Sequence, residues 1–356
     1  MHNITKFMNI ISEKECAIIF SSVNRRFLSN FLSTDGYLYV TSSKAVLFLD
    51  SRYYEMAQIA QKCGQIPDEI ELKNYGFTAE INDMLSSGEA DTLLYEDRRL
   101  TCADLESYKN RFTSARFLPL GTKLESLREC KSQNELELLI SAQRISEKAF
   151  EHILEFISPK RTEKETALEL EFYMRSHGAE NVSFDTICVS GKKTSMPHGR
   201  PEAITLTPDA FVTMDFGCIF EGYCSDMTRT VVLGHASEEM KKIYDIVLAA
   251  QTAAISKVKA GVIGKKVDEA ARELISEAGY KDAFRHSTGH GVGLEIHESP
   301  LFAPSYDKPV PAGAVLSVEP GIYLPDKFGV RIEDVVYVTD NGCIDITKCE
   351  KKLIEL

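Results

Sequence analysis

Apolar residues follow two different rhythms along this chain. In the first third, short runs dense in β-branched and aromatic residues (CAIIF, GYLYVT, KAVLFLD and TLLYED) alternate with the helical stretches SRYYEMAQIAQKC and CADLESYKNRF. A turn at Ser33-Thr34-Asp35-Gly36 precedes the second run. This alternation predicts a compact α/β unit ending near Leu120. From Ser132 the period lengthens. Leu139, Ala142, Ile145, Ala149, Ile153 and Ile157 recur every three or four residues, which marks one buried face of a long helix. Ser132 and Glu135 open that helix as a capping box, in which each side chain satisfies an orphan N–H of the other's backbone. Thr162 and Glu165 repeat the device on the next helix. Two more helices are predicted at about 237–259 and 265–278, the second stopped by Gly279.

Hairpin signals lie between and after these helices: AFVTMDFG…GYCSDMTRTVVLG and, later, AVLSVEPGIYL…GVRIEDVVYVT. The second half therefore carries a duplicated plan, in which a helix pair is followed by a carboxylate-bearing hairpin, twice. The stretch GTKLESLRECK separates the two textures. It divides the chain into domains at 1–122 and 131–356, with a linker at about 123–130.

Composition narrows the classes of function. A chain of 356 residues, 44% hydrophobic and 26% charged, is an ordinary globular protein with room for two domains. Its formal net charge of -12 argues against nucleic acid or an anionic membrane as a partner, since either demands a basic face. Nine cysteines, with no CxxC pair, suit reduced thiols better than a disulfide framework. The opening MHNITKFMNIISEKE has no apolar run of signal-peptide length, and no 18-residue apolar stretch occurs, so a cytoplasmic protein is expected.

The candidate chemistry starts from acids placed in apolar strands. Asp215 follows AFVTM, and Asp226 lies eleven residues on, across a turn near Phe220-Glu221-Gly222. Glu319 follows AVLSV, and Glu333 lies fourteen residues on, around Pro325-Asp326-Lys327. Four carboxylates aimed into one core repel one another and cost several kcal/mol each without compensation. Two divalent cations balance four negative charges, and an imidazole completes such a mixed O/N donor set. The stretch RHSTGHGVGLEIHESP offers His286, His290 and His297; only His290 has glycine on both sides, which would let the backbone approach metals closely. GHGVG matches neither phosphate-loop spacing, and HExxH is absent. His198 stands in a loop, MPHGRP, after the strand signal SFDTICVSG. These spacings point to a dimetal hydrolase.

Taken in order, SFDTICVSG…PHGRP, MDFG…GYCSDMTRT, STGHGVGLEIHE, EPGIY and GVRIEDVV resemble the proline-specific metallopeptidases of the pita-bread fold, the Xaa-Pro aminopeptidases and Xaa-Pro dipeptidases. RRFLSNFLSTDGYLYV and LFLDSRYYEMA resemble that family's N-terminal domain. The resemblance implies an α/β (α+β) chain: a small creatinase-like α/β domain, then a pita-bread catalytic domain with pseudo-twofold helix-hairpin halves. It implies that Asp215, Asp226, His290, Glu319 and Glu333 bind two divalent ions. Asp226 and Glu333 would bridge them, Asp215 would serve one, and His290 and Glu319 the other. The implied reaction is hydrolysis of an N-terminal Xaa-Pro bond by a water bridging the two ions. Glu319 would carry a proton to the leaving nitrogen. His198 and His297 would stabilise the oxyanion or position the carbonyl, while His286, Tyr323 and Arg331 would line the proline pocket. Manganese comes first among the metals, with cobalt, iron and zinc as alternatives. The implied partners are peptides with proline in second position and a second copy of the chain.

Three rival readings remain. A dipeptidase acting only on Xaa-Pro shares every motif above. Creatinase-like or methionine-aminopeptidase chemistry does not combine all five ligands with a separate first domain of this size. An inactive pita-bread binding module would have lost the ligands that this chain keeps. The chain departs from the family just before PHG, where an asparagine-serine-alanine-like run is replaced by Lys192-Lys193-Thr194-Ser195-Met196, near the expected site entrance.

Overall fold

The computed structural model describes residues 1–113 and 115–356. The chain divides into two compact units, Met1–Arg128 and Glu129–Leu356.

The first unit is built on a six-stranded mixed sheet. In chain order its elements are α1 (Asn3–Met8), β1 (Glu15–Ile19), α2 (Ser22–Ser29), β2 (Tyr37–Val40), β3 (Ala45–Leu49), α3 (Ser51–Lys62), β4 (Ile70–Asn74), α4 (Phe77–Ser87), β5 (Thr92–Tyr95), α5 (Cys102–Arg111), β6 (Arg116–Pro119) and α6 (Lys123–Glu129). The strand order is β4-β3-β2-β1-β5-β6. β1, β2 and β3 pair antiparallel, while β4, β5 and β6 join in parallel. All five residues of β3 are buried, which accounts for its unbroken apolar run AVLFL. α4 presents Phe77, Ile81, Met84 and Leu85 to the core, a spacing that keeps them on one helical face. The four strands and two helices expected in the first third are all present. The stretch taken as a linker, about 123–130, is occupied by α6.

The second unit repeats one plan. Its first half comprises α7 (Gln133–Phe156), α8 (Glu163–Ser176), β7 (Asn181–Val182), β8 (Ile187–Ser190), β9 (Ala210–Phe216), β10 (Cys218–Phe220), β11 (Tyr223–Cys224) and β12 (Met227–Leu233). The second half comprises α9 (Glu238–Lys257), α10 (Gly264–Glu277), β13 (Gly289–Gly291), β14 (Glu298–Phe302), β15 (Val315–Val318), β16 (Gly321–Leu324), β17 (Phe328–Arg331), β18 (Asp334–Thr339) and β19 (Gly342–Asp345). Both expected capping boxes form, at Ser132–Glu135 and Thr162–Glu165. In the first half β8, β9 and β12 pair antiparallel in the order β12-β9-β8. The second half sets β13, β15 and β18 in the same relation, with β14 and β19 added at the edges. Between the outer strands of each hairpin lies a smaller pair, β10–β11 in the first half and β16–β17 in the second. The helix-hairpin duplication expected from the sequence is thus a duplication of sheet topology.

The tips obey local chemistry. Glu221 and Gly222 join β10 to β11 with φ of 45° and 87°, the left-handed pair required by a two-residue hairpin loop. Apolar faces of α9 and α10 (Ile243, Val247, Ala250, Val267, Ala271 and Ile275) bury against Leu316, Val318, Val336 and Val338 of the second sheet. α7 and α8 cover Met214, Phe216, Met227 and Val231 of the first. Each sheet therefore has a helix layer on one face, and its other face is free to carry polar groups.

Candidate metal centre

Asp215 is the penultimate residue of β9, opposite Thr228 of β12. The other three acids are not inside strands, as the sequence reading expected. Asp226 directly precedes β12, Glu319 directly follows β15, and Glu333 directly precedes β18. These are the points where each hairpin leaves its main sheet for the smaller inner pair. The physical reason lies in the ladder. A continuous strand turns alternate side chains to opposite faces, whereas an interruption lets the backbone kink and re-aim a side chain.

Hydrogen bonds across the two hairpins fix these acids. Thr228 Oγ1 donates to Glu333 Oε2 at 2.7 Å and accepts from Arg331 Nε at 3.0 Å. Arg331 Nη2 reaches Asp215 Oδ2 at 2.5 Å, and Nη1 donates to Tyr323 Oη at 2.9 Å. Ser317 Oγ donates to Glu319 Oε1 at 3.2 Å and accepts the backbone N–H of His290 at 3.1 Å. Gln143 on α7 accepts from the Asp226 N–H at 3.4 Å. Thr228, Ser317 and Gln143 were not among the expected site residues. Thr228 carried a readable signal, because Thr-Arg-Thr interrupts an otherwise apolar run, MTRTVVL; every residue of that strand is buried.

His290, in β13, completes the cluster. Its Nε2 lies 3.2 Å from Glu319 Oε1 and 3.6 Å from Asp226 Oδ2. Its Nδ1 is 3.1 Å from the carbonyl of Gly291, a contact that turns Nε2 towards the acids. The flanking glycines answer to close packing of backbone. A Cβ on Gly289 would sit 1.9 Å from the Ser317 carbonyl oxygen, and one on Gly291 would sit 2.6 Å from that of Ser299. The backbones of neighbouring strands require glycine there.

All five expected ligands line one cavity of about 880 Å³, together with His198, His286, His297 and Arg331. His297 packs edge-on against His290, with ring centres 4.4 Å apart. Tyr323 is the exception. It is buried outside that lining and hydrogen-bonds to His286 Nε2 at 2.9 Å, as well as to Arg331.

The donor set fits divalent cations. Asp226, His290 and Glu333 offer ligand atoms that all lie within 4.8 Å of one another. Asp215 Oδ1 is buried and has no hydrogen-bond partner among the described residues, a costly state for a carboxylate that a cation would relieve. Oxygen-rich donors with one imidazole suit first-row divalent ions.

Without a cation, the site stores protons. Burial, then the neighbouring Asp215, pushes the Asp226 carboxyl well above the usual carboxylate range. Burial, then Asp226, does the same to Glu333. Burial opposes the charge on His290, but the Glu319 and Asp226 carboxylates outweigh it and raise the imidazole to about 9. Burial likewise opposes ionisation of Glu319, yet its bond to His290 holds it at about 2. Ligand atoms must be deprotonated to bind a metal. Loading near neutral pH is therefore expected to expel protons from Asp226, Glu333 and His290, and the release should shrink as pH rises through about 9. Titration calorimetry in two buffers of different ionisation enthalpy measures it; heats at pH 7 independent of the buffer would refute this protonation scheme.

A family model described as "Metallopeptidase family M24" matches residues 137–340, and one described as "Creatinase/Prolidase N-terminal domain" matches residues 4–130. An Xaa-Pro dipeptidase of Pyrococcus furiosus is 38% identical over 320 residues, covering 90% of this chain and 89% of that protein. The solved structure of an Xaa-Pro dipeptidase from Bacillus anthracis superposes with a TM-score of 0.93 at 38% identity, over 99% of both chains. That of an X-Pro aminopeptidase from Thermotoga maritima superposes with a TM-score of 0.91 at 33% identity, over 99% of this chain and 100% of the other. Among the described residues, no helix is long and apolar enough to cross a membrane.

Proposed function

Since the chain belongs to metallopeptidase family M24, with a creatinase/prolidase-type domain at its N-terminus, we propose that it hydrolyses the bond between an N-terminal residue and a following proline. The observation that carries this reading is the convergence of four acids and His290 on one cavity that three further histidines also line. Two ions are assigned: Asp226 and Glu333 to both, Asp215 to one, His290 and Glu319 to the other. Bound there, divalent cations would lower the pKa of a water and polarise the scissile carbonyl. The rest falls to side chains of this chain. Glu319, 3.2 Å from His290 in the cluster, is assigned the transfer of a proton from the attacking water to the departing imino nitrogen. His198 and His297, both exposed to the cavity, orient the carbonyl and stabilise its developing negative charge. His286 bounds the proline side; Tyr323 and Arg331 hold it from behind.

Proline needs a dedicated site because its amide has no N–H to donate, so recognition falls to ring shape. We assign the aminopeptidase activity, in which residues may follow the proline. The likeness over the whole chain to the X-Pro aminopeptidase of Thermotoga maritima supports it. The dipeptidase reading draws support from the names of two relatives. By kinship with the family we also assign manganese as the first metal, ahead of cobalt, iron and zinc, a homodimeric state and a cytoplasmic setting. Stripped protein reloaded with manganese should cleave Xaa-Pro-Yaa and leave Xaa-Ala-Yaa nearly intact. Cleavage of Xaa-Pro alone would transfer the assignment to the dipeptidase, and equal cleavage of the alanine peptide would remove proline from it.

A further inference from the structure

Glu163 opens α8 in full burial, yet no step of the hydrolysis uses it. A buried carboxylate is tolerated only when paired and hydrogen-bonded, so its partners disclose its purpose. Its Oε1 accepts the N–H of Ser190 at 2.8 Å. Its Oε2 accepts the N–H of Glu202 at 3.1 Å and the ammonium of Lys193 at 2.7 Å. Ser190 ends β8, and Glu202 lies in the connection that runs on to β9 at Ala210. One carboxylate thus gathers the two ends of segment 190–202 and a side chain from its interior.

The remainder of the loop is pinned from the opposite side. Thr194 Oγ1 accepts the N–H of Gly329 on β17 at 2.8 Å, and the Pro197 carbonyl accepts from Arg331 Nη1 at 3.3 Å. Inside the loop, Met196 N–H bonds to the Lys193 carbonyl and Gly199 N–H to that of Met196, both at 3.0 Å. A Cβ on Gly199 would meet a Val189 methyl at 3.0 Å, so the backbone beside His198 lies close against β8. The residue that all of this presents to the cavity is His198. Lys193 belongs to the Lys192–Met196 run, where this chain departs from the family pattern, and its partners are the buried Glu163, at 2.7 Å, and the exposed Glu202, at 3.1 Å.

We infer that Glu163 and Lys193 form a clamp that holds loop 190–202 in the conformation presenting His198 to the scissile carbonyl, with Glu163 as a positioning residue. The inference rests on the role assigned to His198 above. Without the clamp the loop spreads over several conformers, and misplacing a catalytic group by about 1 Å can cost on the order of a hundredfold in rate.

Glu163→Gln keeps the size of the side chain and removes the buried charge of the clamp, leaving Lys193 only the exposed carboxylate of Glu202. It should lower kcat/KM by about ten- to a hundredfold and speed amide hydrogen exchange across 191–202, with exchange elsewhere and metal content unchanged. In a His198→Ala background the same change should cost little more, because a residue acting through His198 has nothing left to position. Losses that multiply in the double variant, or loop exchange equal to that of the parent, overturn the clamp. Exchange needs no substrate, so it judges the clamp even if the protein proves inactive on every Xaa-Pro peptide. His198→Ala as active as the parent removes the role of His198 and the purpose of the clamp with it. Lys193→Met, altered nearer the surface, undergoes the same tests should Glu163→Gln not fold.

Discussion

Replacing Asp226 with alanine is expected to abolish turnover and to lower bound metal below two equivalents. Asp226 meets residues of the second half of the repeat, with His290 3.6 Å away and Glu333 inside the same 4.8 Å group. A metal centre supplies several kcal/mol of transition-state stabilisation, and losing about 4 kcal/mol corresponds to roughly a thousandfold in rate. The fold should respond the other way. A carboxyl whose folded pKa lies above its unfolded value costs stability once the pH passes the unfolded value, and Asp226 is such a group. Asp226→Asn, which keeps the shape without the charge, should therefore unfold no more easily than the parent when both are metal-free at neutral pH. Metal analysis, peptide assay and urea titration together separate a lost ligand from a damaged core. Retained turnover with two bound ions would refute the bridging assignment.

Much of the architecture was open to a reader of the sequence because its causes are local. The apolar face of α7 and the boxes at Ser132 and Thr162 are set by residues within a few positions of one another, and all of them form. α4 was equally readable from Phe77, Ile81, Met84 and Leu85 between Gly76 and Gly88, though it was not among the expected elements. Long-range causes left no such trace. Nothing near Asp226 or Glu333 in sequence reveals that they fall at ladder breaks, since a break depends on where a distant strand stops pairing. The glycines of GHG drew attention rightly, but their reason, carbonyls of Ser317 and Ser299 within 3 Å of a Cβ, lies on two other strands. The same holds for Glu163. On a helix it reads as one more solvated acid, and only the fold brings Ser190, Lys193 and Glu202 to it.

Arg229→Met should produce the largest loss of stability, about 3–5 kcal/mol, as expected when a buried ion pair is broken on one side. Arg229 lies on β12, essentially without exposure, beside the first hairpin's acids. Its Nη2 donates to Asp334 Oδ1 at 2.7 Å and to the Cys349 carbonyl at 3.0 Å, and its Nε donates to the Glu350 carbonyl at 2.9 Å. Its Nη1 bonds to the carbonyls of Thr228 and Glu333. One guanidinium thus joins both hairpins and the C-terminal segment, and methionine would leave four carbonyls and a buried carboxylate short of donors. Gln251 and Lys351 still reach Asp334, at 2.8 and 2.5 Å, which keeps the loss short of complete unfolding. Burial opposes the Asp334 charge, but Arg229 and Lys351 hold its pKa below the ordinary value. Stability from such a group is present above the unfolded pKa and disappears as pH falls through the folded one. The gap between parent and variant should therefore narrow in acid. Arg229→Met combined with Asp334→Leu should recover part of the loss, because no buried carboxylate is then left short of its cation and Lys351 keeps Asp345 at 3.2 Å. Urea midpoints at neutral and acid pH test this. A double variant less stable than Arg229→Met would mean that the carbonyl contacts, rather than the ion pair, join the two halves. Because Thr228 also holds Glu333 by its hydroxyl, the single variant should weaken metal binding as well, coupling the most buried cation of the fold to the site it supports.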